Sequence, residues 1–282
     1  ALLHGAMHLA RTSACRWQLT VAHLDHGLRS DSADDATTVA DAAAALRLPC
    51  EVRRTDVAAL ARVEGRSIED AGREARYRFL ERLAPDGALI ATAHTADDAA
   101  ETVLLNLLRG SGLAGVRGIT GRRGRIVRPL LNERRTILRG LLDHVGIAYR
   151  DDPSNEDPAY LRNRVRGELL PLMEDLRAGA VKRIGQFARL AADDNALLDE
   201  LAAAELARRK APDGGISWRD PPAPALGRRI LRLAVGHPAP SAERTDALLE
   251  AATGNRGRIT IELGDGRTAS VLERVIRIKG SH

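Results

Sequence analysis

The chain has 282 residues, 44% of them hydrophobic and 29% charged, with a formal net charge of +5. That supplies a sizeable core for one large domain or two modest ones. Aromatic residues are only 2% of the chain, which argues against a surface built on stacked bases, and apolar runs such as LAAAEL are too short to span a bilayer.

Two cysteines, Cys15 and Cys50, form no CxxC pair, so a structural zinc site or a cysteine-held iron–sulfur cluster is not expected. Nothing in ALLHGAMHLARTSACRW reads as a charged leader ahead of an apolar block, and a reducing cytoplasm is the expected compartment. The positive charge suits a polyanionic partner. Lysine occurs three times and alanine is abundant, so compositional bias toward arginine explains the charge equally well.

Residues 1–10 read as a helix already in progress. LTVAHLDH (19–26) is a β-rich run, followed by an amphipathic helix over 32–48 with Ser32 as its N-cap. PCEVRRTDV (49–57) reads as a strand. SIEDAGREARYRFLERLA (67–84) reads as a helix opened by Ser67 and Asp70 at capping-box spacing. GALIATAH (87–94) is a short buried strand, TADDAAETVLLNLLRG (95–110) a helix ending at Gly110, and GRIVRPLL (124–131) a further strand. This alternation predicts an α/β fold, a doubly wound parallel sheet with helices on both faces. Ligands gather at the carboxyl ends of the strands in such sheets. His94 stands at one strand-to-helix junction and HLDHGLR (23–29) at another.

After about residue 172 the pattern changes. A long helical run, AVKRIGQFARLAADDNALLDELAAAELARRK, leads to short helices in RRILRLAVGH and ERTDALLEAAT. GRITIELGDGRTASVLERVIRI then reads as a β-hairpin around Gly264, Asp265 and Gly266. This predicts a smaller, mainly helical α+β domain over 174–282, after a first domain over 1–173.

Four segments carry candidate chemistry. In HTADDAAET, His94, Asp97, Asp98 and Glu101 share one helical face, as a solvated face favoured by the helix dipole or as the rim of a site. RGSGLAG (109–115) is either a simple helix stop or a loop whose N–H groups approach phosphate. His23 and His26 in HLDHGLR lack a third nearby metal ligand and suit the polar end of a strand. In DDPSNEDPAYLRNRVRGELLP (151–171), Arg162, Arg164 and Arg166 follow Asp152, Ser154 and Asn155, as a capped helix start or as guanidinium forks for phosphate.

In this order, VAHLDHGLR, SIEDAGREARYRFL, ATAHTADDAAETVLLNLLRGSGLAG, RPLL (128–131) and DPSN…YLRNRVRGELLP resemble the tRNA(Ile)-lysidine synthetases, a family of N-type ATP pyrophosphatases with a Rossmann-like sheet. The resemblance covers residues 1–175 well and the remainder in layout only. It implies an enzyme that uses ATP, with Mg²⁺, to adenylate the C2 oxygen of the wobble cytidine of tRNA(Ile). The amine of free lysine then displaces AMP to give lysidine. It further implies a tRNA-binding C-terminal domain and a homodimer.

By the same resemblance Arg76, Asp98 and Glu101 are catalytic. Arg76 would stabilise charge during adenylation, and the two carboxylates would hold the lysine ammonium groups and help accept a proton. His94, Asp97, Arg109 and Ser111 would bind substrate, with Asp97 turned toward Mg²⁺ or structure. His23, Asp25 and His26 would flank the nucleotide, and Arg162, Arg164 and Arg166 would meet tRNA. No residue is assigned as a metal ligand.

One departure stands out: the family's SGGxDS phosphate loop is not found. ALLHGAMHLA reads as the helix that follows it, so the expectation is a chain truncated before the loop and inactive alone. Two rivals are another N-type ATP pyrophosphatase, such as a tRNA thiolase or a small-molecule amidating synthetase, and a non-catalytic tRNA-binding remnant.

Overall fold

The computed structural model describes residues 1–12, 17–28, 32–150, 160–254 and 257–280. Cys15, Arg29, Asp152, Ser154 and Asn155 lie outside them. The chain divides into two compact units, one of residues 1–110 and 118–185, the other of 111–117 and 186–282.

The first unit opens with α1 (Leu2–Thr12), β1 (Val21–Asp25), α2 (Ser32–Ala45) and β2 (Cys50–Arg54). β1 and β2 pair in parallel, from Val21 opposite Cys50 to Asp25 opposite Arg54. The strand expected over 49–57 stops at Arg54 because Asp56 caps a helix that the sequence reading missed, α3 (Val57–Glu64). The Asp56 carboxylate accepts from the Ala59 N–H at 2.9 Å, and Gly65 ends the helix in the left-handed region, φ 62°.

α4 (Ile68–Leu83) begins at Ser67, whose Oγ accepts from the Asp70 N–H at 3.1 Å and donates to its Oδ2 at 2.7 Å. β3 (Ile90–Ala91) is shorter than the strand expected over 87–94. It leads into α5 (Ala96–Leu108). In the second unit, residues 111–117 hold the four-residue α6 (Leu113–Val116).

Back in the first unit, β4 (Arg122–Arg123) and β5 (Ile126–Val127) form a tight hairpin. β5 pairs in parallel with β3 and antiparallel with β4, which is the edge strand. These three strands and the β1–β2 pair are separate hydrogen-bonded sheets among the described residues. α7 (Arg135–His144), α8 (Leu161–Arg164), a π turn over Val165–Leu169 and α9 (Leu170–Leu176) complete the unit, with the start of α10 (Ala180–Arg209).

Among the described residues, apolar clusters hold it together. Tyr77, Ile90 and Ile126 join α4 to β3 and β5. Val57, Ala61 and Ala71 join α3 to α4. Ala100, Leu104 and Leu105 of α5 pack on Val165, Leu170 and Val181. Each such leucine or valine contributes about 1.5–3 kcal/mol on full burial, so the middle of α5 is anchored, and Asp97 and Glu101 of its first turns are buried with it.

The second unit also contains the rest of α10, β6 (Ile216–Ser217), α11 (Pro224–Val235), α12 (Ala242–Thr253), β7 (Ile259–Gly264), β8 (Arg267–Leu272) and β9 (Val275–Lys279). The strands form an antiparallel sheet in the order β6-β9-β8-β7, packed around Trp218, Ile230, Leu231, Leu248, Leu263 and Ile276. The single hairpin expected here is a three-strand meander. A second reversal occurs at Glu273 and Arg274, both with positive φ. Among the described residues no helix is long and apolar enough to cross a membrane.

Candidate active site

The first turn of α5 is fixed by a capping box. Thr95 Oγ1 accepts from the Asp98 N–H at 3.4 Å, while Asp98 Oδ2 accepts from the Thr95 N–H and hydroxyl, each at 2.7 Å. Such a cap stabilises a helix start by about 1 kcal/mol. It also commits one oxygen of Asp98 to structure and leaves Oδ1 to meet Arg135 Nη2 at 2.9 Å. Burial pushes the Asp98 carboxyl up, but the Thr95 bonds and the charges of Arg135 and Arg166 outweigh it and hold the group below the usual carboxylate range.

One helical turn on, Glu101 is completely buried and meets three arginines. Its Oε1 accepts from Arg166 Nε at 2.7 Å and Arg135 Nη2 at 3.2 Å, and its Oε2 from Arg166 Nη2 at 2.9 Å and Arg162 Nε at 3.1 Å. The hydrogen bonds to Glu101 raise the Arg166 pKa. Asp97 accepts from Arg134 Nε at 3.1 Å and the Arg135 backbone N–H at 2.7 Å. Arg134 continues to Glu174 at 2.8 Å, and Glu174 accepts from the N–H groups of Gly179, Ala180 and Val181 at the start of α10. The carboxylate face of α5 is therefore locked by guanidinium groups from α7 and the 160s helix.

His94 stands just before this turn, its Nδ1 at 3.0 Å from Thr92 Oγ1. Desolvation, then the nearby charges of Arg128, Arg73 and Arg162, push it down to about 4 against the opposing pull of Asp98. At neutral pH it is an uncharged hydrogen-bonding group.

At the end of β1, Arg76 Nη2 lies 2.7 Å from His26 Nε2. Guanidinium has no acceptor, so Nε2 accepts and the ring proton sits on Nδ1, which is buried without a partner among the described residues. Desolvation, then Arg76 and His23, bring His26 down to about 4. Asp25 is buried, accepts from the Gly27 N–H at 2.8 Å and lies 3.6 Å from Arg54. Two segments 50 residues apart thus meet at one edge of the sheet. A cavity of about 430 Å³ opens beside α5, lined among others by Thr95, Asp98, Arg135, Arg139, Arg150 and Arg166.

The PP-loop domain family matches residues 1–173. The tRNA(Ile)-lysidine synthase of Salinispora tropica is 42% identical over 272 residues, 90% of this chain and 79% of that protein. The chain belongs to the tRNA(Ile)-lysidine synthase family. The enzyme of that name from Geobacter sulfurreducens is 43% identical over 205 residues, 71% of this chain but 44% of its own length, so the chain spans less than half of that relative. Among solved structures, the U34-tRNA thiolase NcsA from Methanococcus maripaludis shares the fold, with a TM-score of 0.55 at 14% identity over 67% of this chain and 66% of that one.

In this lysidine synthase family member, the structure brings His94, Asp97, Asp98 and Glu101 together, and separately Arg76, His26 and Asp25. Arg162 and Arg166, expected at tRNA, are turned onto Glu101. Arg164 is exposed and pairs with Glu168 in its own helix. Arg109 is exposed at the far end of α5, about 17 Å along the axis from Asp98 at 1.5 Å per residue. Ser111 falls in the second unit.

Asp97, whose alternatives were Mg²⁺ or structure, goes to Arg134 and Arg135. No group of three or more His, Cys, Asp or Glu side chains among the described residues is placed to hold a metal ion. The α5 carboxylates already face arginines, so they do not suit direct Mg²⁺ ligation. The sequence reading missed Arg134, Arg135 and Glu174. The available signal was the pair at 134–135 opening a helix, the cations that buried carboxylates demand.

His26 and His94 predict an acid-sensitive fold. Both are held neutral by burial and nearby arginines, at a pKa of about 4 and below the ordinary imidazole value of about 6.5, so the unfolded chain binds more protons as pH falls through that window. Stability attributable to them is present above pH 6.5 and lost down to about pH 4, by roughly 1–3 kcal/mol each. Urea unfolding of wild type and His94→Gln at pH 7 and pH 4.5 checks this. The variant should show the weaker pH dependence, and parallel profiles would refute it.

Proposed function

We propose that the chain catalyses ATP-dependent lysidine formation on tRNA(Ile), with lysine, ATP and tRNA as substrates, in the cytoplasm and as a homodimer. The observation that carries this reading is the His94–Asp98 turn at the strand-to-helix junction, beside a cavity containing one carboxylate among four arginines. That lining suits a zwitterionic amino acid, whose carboxylate would meet guanidinium while its ammonium meets Asp98 Oδ1.

Arg76, already aimed at the end of β1, would stabilise charge as the cytidine oxygen takes up AMP and pyrophosphate leaves. Asp98 would orient the lysine amine and take its proton as C2 is attacked and AMP departs. Glu101 touches no open space, so its part is to hold Arg135, Arg162 and Arg166 in position. Neutral His94 would act through a hydrogen bond rather than a charge. Mg²⁺ would arrive with the phosphates of ATP. The unit containing residues 186–282 would bind tRNA.

The test is incorporation of labelled lysine into a tRNA(Ile) transcript, with ATP, by the purified protein. Lysine- and ATP-dependent labelling is the expected result. Sulfur transfer without lysine uptake would favour the thiolase rival. Salt-sensitive tRNA binding without ATP binding would favour the remnant.

A further inference from the structure

Arg128 is 5% exposed, yet no carboxylate among the described residues meets it. Its Nη1 donates to the Thr120 carbonyl at 2.7 Å and its Nη2 to the Tyr77 hydroxyl at 3.2 Å. Its Nε is buried with no hydrogen-bond partner among the described residues. Two more guanidinium groups flank the same tyrosine, Arg73 at 5.6 Å and Arg123 at 5.5 Å from the ring centroid. Neither has an ion pair among the described residues, although the neighbouring arginines at 134, 135, 162 and 166 all do.

Three like charges around one ring repel each other, and a buried cation without a counter-ion is costly. The ring faces offset part of this, and the exposed guanidinium groups of Arg73 and Arg123, without an ion pair among the described residues, are the members of the cluster open to an anion. The charges of Arg73 and Arg128 also reach His94, so the cluster borders the candidate site.

We propose that Arg128, Arg73 and Arg123 form a phosphate subsite that takes a backbone phosphodiester of the substrate RNA and so presents its base to the His94–Asp98 turn. The inference rests on the tRNA reading above. A polymer backbone is favoured over a nucleotide triphosphate because the cluster runs outward from buried Arg128 to exposed Arg73 and Arg123, with exposed Arg122 next along edge strand β4. A ligand there passes along a surface rather than being enclosed. None of these residues follows from a phosphate-loop motif.

The test compares the full chain with Arg123→Gln, a surface change that spares the core, and Arg128→Lys, which keeps the charge but loses the fork. Binding of a tRNA(Ile) transcript is measured across a salt series, and ATP binding in parallel. Arg123→Gln should weaken tRNA binding about 3- to 10-fold and lower the salt slope by about one, with ATP affinity unchanged. Arg128→Lys should weaken tRNA binding at least as much. Wild-type tRNA affinity and slope in Arg123→Gln would overturn the subsite while leaving the tRNA reading intact. A parallel loss of ATP affinity would assign the anion to the nucleotide and overturn the RNA assignment. No tRNA binding by the wild-type chain would overturn both readings.

Discussion

Glu101→Ala is expected to destabilise the first unit by about 3–5 kcal/mol, the range for removing one partner of a buried ion pair. Glu101 is fully buried, and both of its oxygens are occupied by Arg135, Arg162 and Arg166. Truncation leaves three guanidinium groups facing a hole. Arg135 and Arg166 keep Asp98, and Arg162 keeps Glu69, so the unit loses stability rather than all its links.

Glu101→Gln separates charge from volume. The amide fills the space and accepts one or two of the bonds but cannot balance the charge, so its loss should be smaller than that of alanine. Urea unfolding followed by circular dichroism reads both. An alanine variant with a wild-type midpoint would show that the cluster carries no stability. In that case Glu101 would return to the catalytic role suggested by its motif.

The case of Glu101 shows what sequence legibility means here. The period of three and four in HTADDAAET puts Asp97, Asp98 and Glu101 together in the first turns of α5, while His94 stands before the N-cap Thr95, outside the helix. The alternating strands and helices of the first unit were equally legible, because caps and apolar periodicity are local. The partners of the carboxylates were not legible: Arg134 and Arg135 lie more than thirty residues on, and which arginines close on Glu101 depends on packing. The π turn at 165–169, which sits between Arg162 and the end of that helix, has no composition signal.

Local chemistry also misled. Asp56 looked like the tail of a strand, although its carboxylate begins α3. The turn at Glu273–Arg274 escaped notice because reversals with two positive φ values are normally marked by Asn-Gly or Asp-Gly. Arg162 and Arg166 read as anion-seeking forks for the same reason they bind Glu101, since a guanidinium does not distinguish an internal carboxylate from a phosphate.

Asp98→Asn is expected to lower lysine transfer by about 10²- to 10⁴-fold, the usual contribution of a positioned acid–base group. The substitution is nearly isosteric. An amide oxygen can still accept from the Thr95 N–H, so the helix start should lose no more than about 1 kcal/mol. The charge disappears, and with it the attraction for an ammonium group and the capacity to take its proton. Arg135 keeps Glu101 as a partner, so the guanidinium lattice around the cavity survives. In the proposed reaction adenylation precedes lysine attack and does not need this carboxylate, so ATP-dependent pyrophosphate release should persist while lysidine formation falls. Measuring both products from one reaction distinguishes this from misfolding, which would abolish them together. Lysidine formation within about threefold of wild type would remove Asp98 from the reaction and leave it as the capping residue that its Oδ2 already is.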